Sequence, residues 1–279
     1  MLSDIFFHQT VTYTRTEQEI IDFICKNPGV FLTASISQLA ERLGISDASL
    51  SRLAKHAGYP DYKGLKAAVT GALSGAGPAQ KLQGSLQNQK EGGLYAFLSH
   101  QQICLQKTLE LIDRAAFDQA AGLIASAHRI FLHGKGASRC LAQLLHFRLN
   151  RFGKDVFLMP SGGTELFEDL NRLSDRDLVI CFGFQKLPRE DSVLLSHARQ
   201  IGCKSILFSS RVYAAETSKA NISLLIYRGE PEEYHSMTAP MAVIDALIVQ
   251  VAAAMGDKAV EPLERLHALK QEYYRELPG

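Results

Sequence analysis

The sequence predicts an all-α helix-turn-helix domain followed by a three-layer α/β domain with a parallel sheet. Two patterns carry that prediction. In residues 36–58, ISQLAERLGISDASLSRLAKHAG, apolar and small residues recur at the spacing of two short helices packed across a glycine turn. From residue 129 onward, short apolar runs alternate with stretches of helical period, as strands joined by crossover helices do when a sheet is covered on both faces. A length of 279 residues with 46% apolar content supplies two cores.

Residues 16–26 read as an opening helix. Thr16 and Glu19 have the spacing of a capping box, Ile20, Phe23 and Ile24 form the buried face, and Asn27, Pro28 and Gly29 end it. In the helix-turn-helix, Leu39, Ala40 and Leu43 line the first helix, Gly44 supplies the left-handed turn, and Ile45 fills the corner. Ser46 is the expected N-cap of the second helix, with its hydroxyl accepting a free backbone N–H. Leu50, Leu53, Ala54 and Ala57 then return at helical spacing.

Rotation by about 100° per residue puts Ala48, Arg52 and Lys55 on the outward face, with Ser49, Ser51 and His56 on its flanks. Short polar side chains with one arginine and one lysine suit a DNA groove. Five Lys or Arg against two Asp between residues 42 and 66 add a local positive excess. The whole chain carries only +1, so the footprint is confined to this face. Ser46, Ala48, Ser49, Ser51, Arg52 and Lys55 are therefore the expected contacts to a double-stranded DNA operator. An amphipathic helical hairpin that touches no nucleic acid is the plainer alternative. Gly58 to Asp61 close the helix, and residues 62–72 form one more, completing a domain of residues 1–75.

Residues 71–93 are rich in Gly, Gln, Ser and Ala and lack a sustained apolar stripe, so a linker is expected over 76–93 and a second domain over 94–279. A helix over 94–111 leads in, with Leu94, Phe97, Leu98, Gln101, Cys104, Leu105, Thr108 and Leu109 on one side. Strands are expected over 129–133, 156–159, 178–183, 205–209 and 222–227, and intervening helices over 139–152, 165–173 and 191–201. The apolar run 237–255 contains Asp245 and Gln250 and reads as a core or interface helix rather than a membrane span. Residues 1–10 lack a basic segment of the kind that opens a signal peptide, and five isolated cysteines fit a reducing cytosol, so a cytoplasmic location is expected.

Ligands of open parallel sheets bind beyond the carboxyl ends of the strands, which directs attention to residues 133–138, 160–164, 183–189 and 209–212. The first loop, His133-Gly134-Lys135-Gly136-Ala137-Ser138, opens a helix whose free N–H groups favour an anion. Arg139 stands where a dinucleotide fingerprint needs its third glycine, so no nicotinamide or other cofactor is expected. A tight strand-to-helix turn without a ligand is the alternative for this loop. Ser161 with Gly162, Gly163 and Thr164 forms a second polar, glycine-rich edge. No two of the nine histidines recur at ligand spacing with a carboxylate or cysteine, so no metal is expected. Glu165, Glu168, Glu216 and His235 are the candidate bases for an isomerase, yet none sits in a motif that demands proton transfer, and no catalysis is expected.

Taken together, SISQLAERLGISDASLSRLAKHAGYPDYKGLK and RIFLHGKGASRCLAQLLHFRLNRFGKDV make the chain resemble the RpiR/MurR-type transcription regulators, a helix-turn-helix joined to a sugar-isomerase (SIS) domain. That resemblance implies Gly134, Gly136 and Ser138 as phosphosugar-binding positions. It also exposes a departure. Phosphosugar-binding members carry Ser-x-Ser-Gly-x-Thr after the third strand, where this chain has Cys181-Phe182-Gly183-Phe184-Gln185-Lys186-Leu187-Pro188-Arg189. Lys186 and Arg189 offer charge in place of hydroxyls. The expected effector is a small anionic metabolite, a sugar phosphate or another organic anion, held by Gly134, Gly136, Ser138, Ser161, Gly183, Gln185, Lys186, Ser209, Ser210 and His235. The apolar faces of 94–111, 237–255 and the C-terminal helix up to Leu277 exceed what one sheet needs, so a homodimer or homotetramer is expected.

Overall fold

A computed structural model describes residues 4–7, 13–74, 77–88, 93–211, 219–230 and 233–276. The chain divides into two compact units, residues 1–88 with 230–234, and residues 89–229 with 235–279.

The first unit is helical: α1 (Asp4–Phe7), α2 (Arg15–Lys26), α3 (Pro28–Thr33), α4 (Ile36–Leu43), α5 (Asp47–His56), α6 (Tyr62–Ser74) and α7 (Pro78–Asn88). Ile20, Ile24, Phe31, Leu39, Leu50, Leu53, Leu65 and Val69 are its fully closed core. Tyr13 and Tyr59 tie α1 down, donating to the Phe6 and Ile5 carbonyls at 2.6 and 2.8 Å. Gly44 takes φ +65°, the left-handed corner expected between α4 and α5.

Several sequence expectations are corrected here. The α2 capping box is Thr14 with Glu17, not Thr16 with Glu19. Both pairs have the right spacing, and packing of Ile20, Ile21 and Ile24 against the core sets the earlier start. Pro28 does not merely end α2; it sits at the start of α3, where its missing N–H costs nothing and its φ is already helical. Ser46 is the N-cap residue of α5, but its hydroxyl meets the Ser49 hydroxyl at 3.0 Å instead of a backbone N–H. Asp47 instead accepts from Ser37 Oγ at 2.7 Å, bonding α5 to α4. Within the stretch read as a linker, residues 78–88 form α7, because Gln, Ala, Lys and Leu favour helix strongly enough to outweigh Gly84.

The second unit runs α8 (Gly93–Leu111), α9 (Arg114–Ser126), β1 (Arg129–His133), α10 (Arg139–Asn150), β2 (Asp155–Leu158), α11 (Glu165–Arg172), β3 (Leu178–Phe182), α12 (Arg189–Gln200), β4 (Lys204–Ser209), β5 (Ile222–Leu225), α13 (Thr238–Met255) and α14 (Asp257–Glu272). All strand pairs are parallel, in the order β2-β1-β3-β4-β5. Leu141, Leu145 and Leu149 of α10 join α9 and α13 on one face of the sheet. Leu166 and Leu170 of α11 with Leu194 and Leu195 of α12 cover the other. α13 is long and apolar enough to cross a membrane, but Val243, Ile244, Leu247, Ile248 and Val251 lie in the core with α9 and α10. The strand limits and those of the helices between them fall within two residues of those expected, but the C-terminal helix, expected up to Leu277, ends at Glu272, and α9 is an element the sequence reading did not place. Leu277 lies outside the described residues.

Candidate functional site

In the first unit, the exposed face of α5 carries Ala48, Arg52 and Lys55, while Leu50, Leu53 and Ala54 are fully buried on the opposite side. Ser49 and Ser51 are half-buried on the flanks, and Ser46 is exposed at the start. Arg52 Nη2 donates to Ser49 Oγ at 3.3 Å, which holds the guanidinium along the outer face. His56 Nδ1 lies 2.9 Å from Glu17 Oε1, so it links α5 to α2 rather than joining that surface. Five of the six sequence-predicted residues thus lie on one short helix, with Ser46 at its N-cap.

In the second unit, strand order determines which loops meet. From β1 the chain leaves to α10 on one face, and from β3 it leaves to α12 on the other, so the connections diverge between these neighbouring strands. Such a point opens a crevice at the carboxyl edge. Gly134 stands at its β1 side. A Cβ there would meet the Ser138 carbonyl oxygen at 2.6 Å, so Gly134 lets the 3-10 turn of Gly136–Ser138 close on the strand. Gly136 has φ +58° and is exposed. The Ser138 hydroxyl, half-buried at the start of α10, makes no capping bond.

Arg139 turns out to connect two loops. Its Nη1 donates to Ser161 Oγ at 2.9 Å and toward the Met159 carbonyl at 3.4 Å. Lys135 Nζ donates to Glu190 Oε1 at 2.7 Å, and this bond holds the Glu190 carboxyl below its usual range. The third loop faces the other way. Gln185 Nε2 lies 3.3 Å from His235 Nε2, Arg211 donates to the Gln185 carbonyl at 3.4 Å, and Arg228 stacks over buried Phe184 at 4.4 Å. Ser209 is buried, with its hydroxyl committed to the backbone of Arg211 and Phe184, so it shapes the turn. Ser210 Oγ is buried without a hydrogen-bond partner among the described residues. Lys186 and Arg189 are exposed and make no ion pair among the described residues. Glu165 and Glu168 are exposed on α11; Glu216 and Val212 lie outside the described residues.

The structure thus brings Ser138, Arg139 and Ser161 to one side of the crevice and Gln185, Ser209, Ser210 and His235 to the other. Sequence reasoning missed what lies beneath. His133 Nδ1 is hydrogen-bonded to Asp191 Oδ1, with both side chains fully buried. Burial pushes the nearby Cys181 thiol well up, and the Asp191 carboxylate adds to the effect. A Cβ on Gly183 would come within 2.9 Å of Asp191 Oδ2 and 2.5 Å of Leu187 Cδ1, so Gly183 serves this packing. The available signal was a histidine ending the strand RIFLH directly after the buried apolar run Ile130, Phe131 and Leu132.

Known proteins match both halves. The model for the helix-turn-helix domain of the rpiR family matches residues 5–76, and that for the SIS domain matches residues 123–250. An uncharacterized HTH-type transcriptional regulator from the aarA 3' region of Providencia stuartii is 25% identical over 256 residues, covering 90% of both chains. An HTH-type regulator of Caldanaerobacter subterraneus is 22% identical over 91% of each. Among solved structures, the Vibrio vulnificus NanR protein complexed with ManNAc-6P superposes with TM-score 0.60 at 19% identity, covering 97% of this chain and 98% of that one. The sugar isomerase domain of an RpiR transcription factor from Sphaerobacter thermophilus gives TM-score 0.57 at 21% identity, over 61% of this chain and 96% of that one. With an exposed second helix in the helix-turn-helix and a five-stranded parallel sheet after it in sequence, and both domain models matched in that order, the chain carries an rpiR-family helix-turn-helix domain followed by a SIS domain, the layout of a DNA-binding transcriptional regulator.

Proposed function

We propose that this regulator is a cytoplasmic homo-oligomer that binds an inverted-repeat operator through α5 and releases or engages it when a small anionic metabolite fills the crevice between β1 and β3. The observation that carries the reading is the face of α5: Arg52 and Lys55 exposed beside Ala48, above a closed core that holds the helix rigid. Arg52 is the residue for a base edge and Lys55 for a phosphate, with Ser49 and Ser51 serving either. The effector would meet Ser138, Ser161, Gln185, Lys186 and His235. That NanR, of the same fold, was solved with a sugar phosphate supports a phosphosugar or a related anion. The SIS domain is read as a sensor without turnover, since Glu165 and Glu168 are exposed helix residues and His235 lies against Gln185.

Self-association is supported by apolar side chains facing outward. Leu94, Leu98 and Leu109 of α8, on the apolar side read from the sequence, are 67%, 51% and 71% exposed, and Val249 of α13 is 70% exposed. Two such subunits would set recognition helices about 34 Å apart, on successive major grooves.

A gel shift at fixed salt with DNA from upstream of the protein's own gene, against equal-length unrelated DNA, tests the reading. A specific shift at nanomolar protein, relieved or enhanced by a sugar phosphate or dicarboxylate, is the expected result. Indifference to DNA throughout a genome-wide selection, or turnover of a sugar phosphate, refutes it. Within α5, Arg52→Ala should cost about 1–3 kcal/mol of operator binding and relax sequence preference. A variant that shifts the operator normally at matched salt would refute the base contact. Lys55→Ala should instead weaken binding to every sequence and flatten the dependence of log K on log salt by about one unit. Parallel salt slopes for parent and variant would rule that out.

A further inference from the structure

Glu190, in the first turn of α12, reaches across the crevice instead of along its own helix. Its Oε1 is 2.7 Å from Lys135 Nζ on the first loop. The same oxygen is 3.1 Å from where a Cβ on Gly162 would sit, so it lies against the bare backbone of the second loop. One carboxylate oxygen therefore joins three elements. Each of them offers something that favours a bound anion: the ammonium of Lys135, the N-terminus of a twelve-residue helix, and a glycine backbone open to close approach. Beneath lies the buried His133–Asp191 pair, whose His133 Nε2 has no hydrogen-bond partner among the described residues. The Lys135 bond holds the Glu190 carboxyl below its usual range, with a further pull from His133, so it stays ionised in place. Lys135 is half-exposed, and an ion pair so placed contributes little to stability. Its three-way setting is better accounted for by ligand binding.

We propose that Glu190 is a built-in competitor anion, whose carboxylate occupies the seat between Lys135, Gly162 and the start of α12 until the anionic group of the effector displaces it. This rests on the effector-sensing reading above and adds which charge must leave. Displacement cuts the tie between the first loop and α12, so anion binding itself changes how the two walls of the crevice are joined. A neutral sugar has no charge to exchange for Glu190 and leaves the tie intact. Differential affinity for the tied and untied forms is then built into the ligand's charge.

The test is isothermal titration of the full-length protein at low salt with inorganic phosphate and with glucose 6-phosphate. Parent, Glu190→Gln, Lys135→Met and the double variant are compared, with Glu190→Ser as a second removal of the charge. Glu190→Gln and Glu190→Ser should bind phosphate about tenfold more tightly than the parent, the scale of one charge-assisted hydrogen bond. Lys135→Met should bind about tenfold more weakly, and the double variant no more tightly than Lys135→Met. Affinity in both Glu190 variants equal to or below that of the parent overturns the proposal while leaving the sensing reading intact. Binding of neither probe by any of the proteins, the Glu190 variants included, also overturns the proposal, because a seat vacated by a carboxylate beside Lys135 must accept phosphate; the sensing reading then rests on the operator assay with other anions.

Discussion

Asp177→Ala should destabilise the α/β unit by about 3 kcal/mol, the cost of breaking a buried ion pair by removing one partner. The Asp177 side chain is fully buried just before β3 and accepts four bonds. Two come from Arg129 Nε and Nη2 at 3.0 and 2.7 Å, and two from the Ser174 N–H and hydroxyl at 2.8 Å each. Alanine would leave Arg129, itself only 24% exposed, with the Arg172 carbonyl as its one remaining side-chain hydrogen-bond partner among the described residues, and would release the turn that starts β3. Burial pushes the Asp177 carboxyl up, but the bonds from Arg129 and Ser174 outweigh it and bring the pKa down to about 2. Because the folded value lies below the ordinary 3.8, the contribution is complete above about pH 4 and is lost as the pH falls toward about 2. Urea unfolding of parent and variant at pH 7 and again near pH 2.5 checks both parts. A loss below 1 kcal/mol at pH 7, or a difference that grows in acid, would contradict the assignment.

Leu53→Ala should unfold the reading head and leave the sheet untouched. Leu53 is fully buried on α5 in the core shared with Leu39, Ala40, Leu50 and Phe31. Truncation of a closed leucine costs about 2–5 kcal/mol through lost burial and the cavity that remains. For a small helical unit that is a large share of the whole stability. Scanning calorimetry should show a low-temperature transition moving down sharply while the transition of the α/β unit stays in place, and operator binding should disappear with the first. A single transition that shifts as one would show that the units do not unfold separately.

Much of the outward face of α5 was legible in the sequence because helical geometry is local. Given a period of 3.6, the burial of Leu50 and Leu53 already turns Arg52 and Lys55 outward, and Gly44 marks the corner by its left-handed φ. The errors were also local, and packing resolved them. TRTEQE offers two overlapping capping frames, and only the position of Ile20 and Ile24 against the core chooses between them. Residues 78–88 look like a linker to a reading based on apolar stripes, since Leu82 and Leu86 remain exposed, yet their composition suffices for a helix.

The crevice was legible only as a set of loops. Alternation of strands and helices gave the parallel sheet and its carboxyl edge, so Gly134, Ser138, Ser161 and Gly183 could be placed at that edge by position. It did not give which side chains lie against those loops. His133 and Asp191 are 58 residues apart, Lys135 and Glu190 are 55 apart, and both pairs exist because β3 lies beside β1 while α10 and α12 leave on opposite faces. What the sequence determined alone was the pair of domains and the outward face of α5, since periodicity and turn chemistry act over a few residues. Tertiary structure alone decided which buried acid meets which base at the strand ends, because strand order and crossover side are properties of the whole sheet.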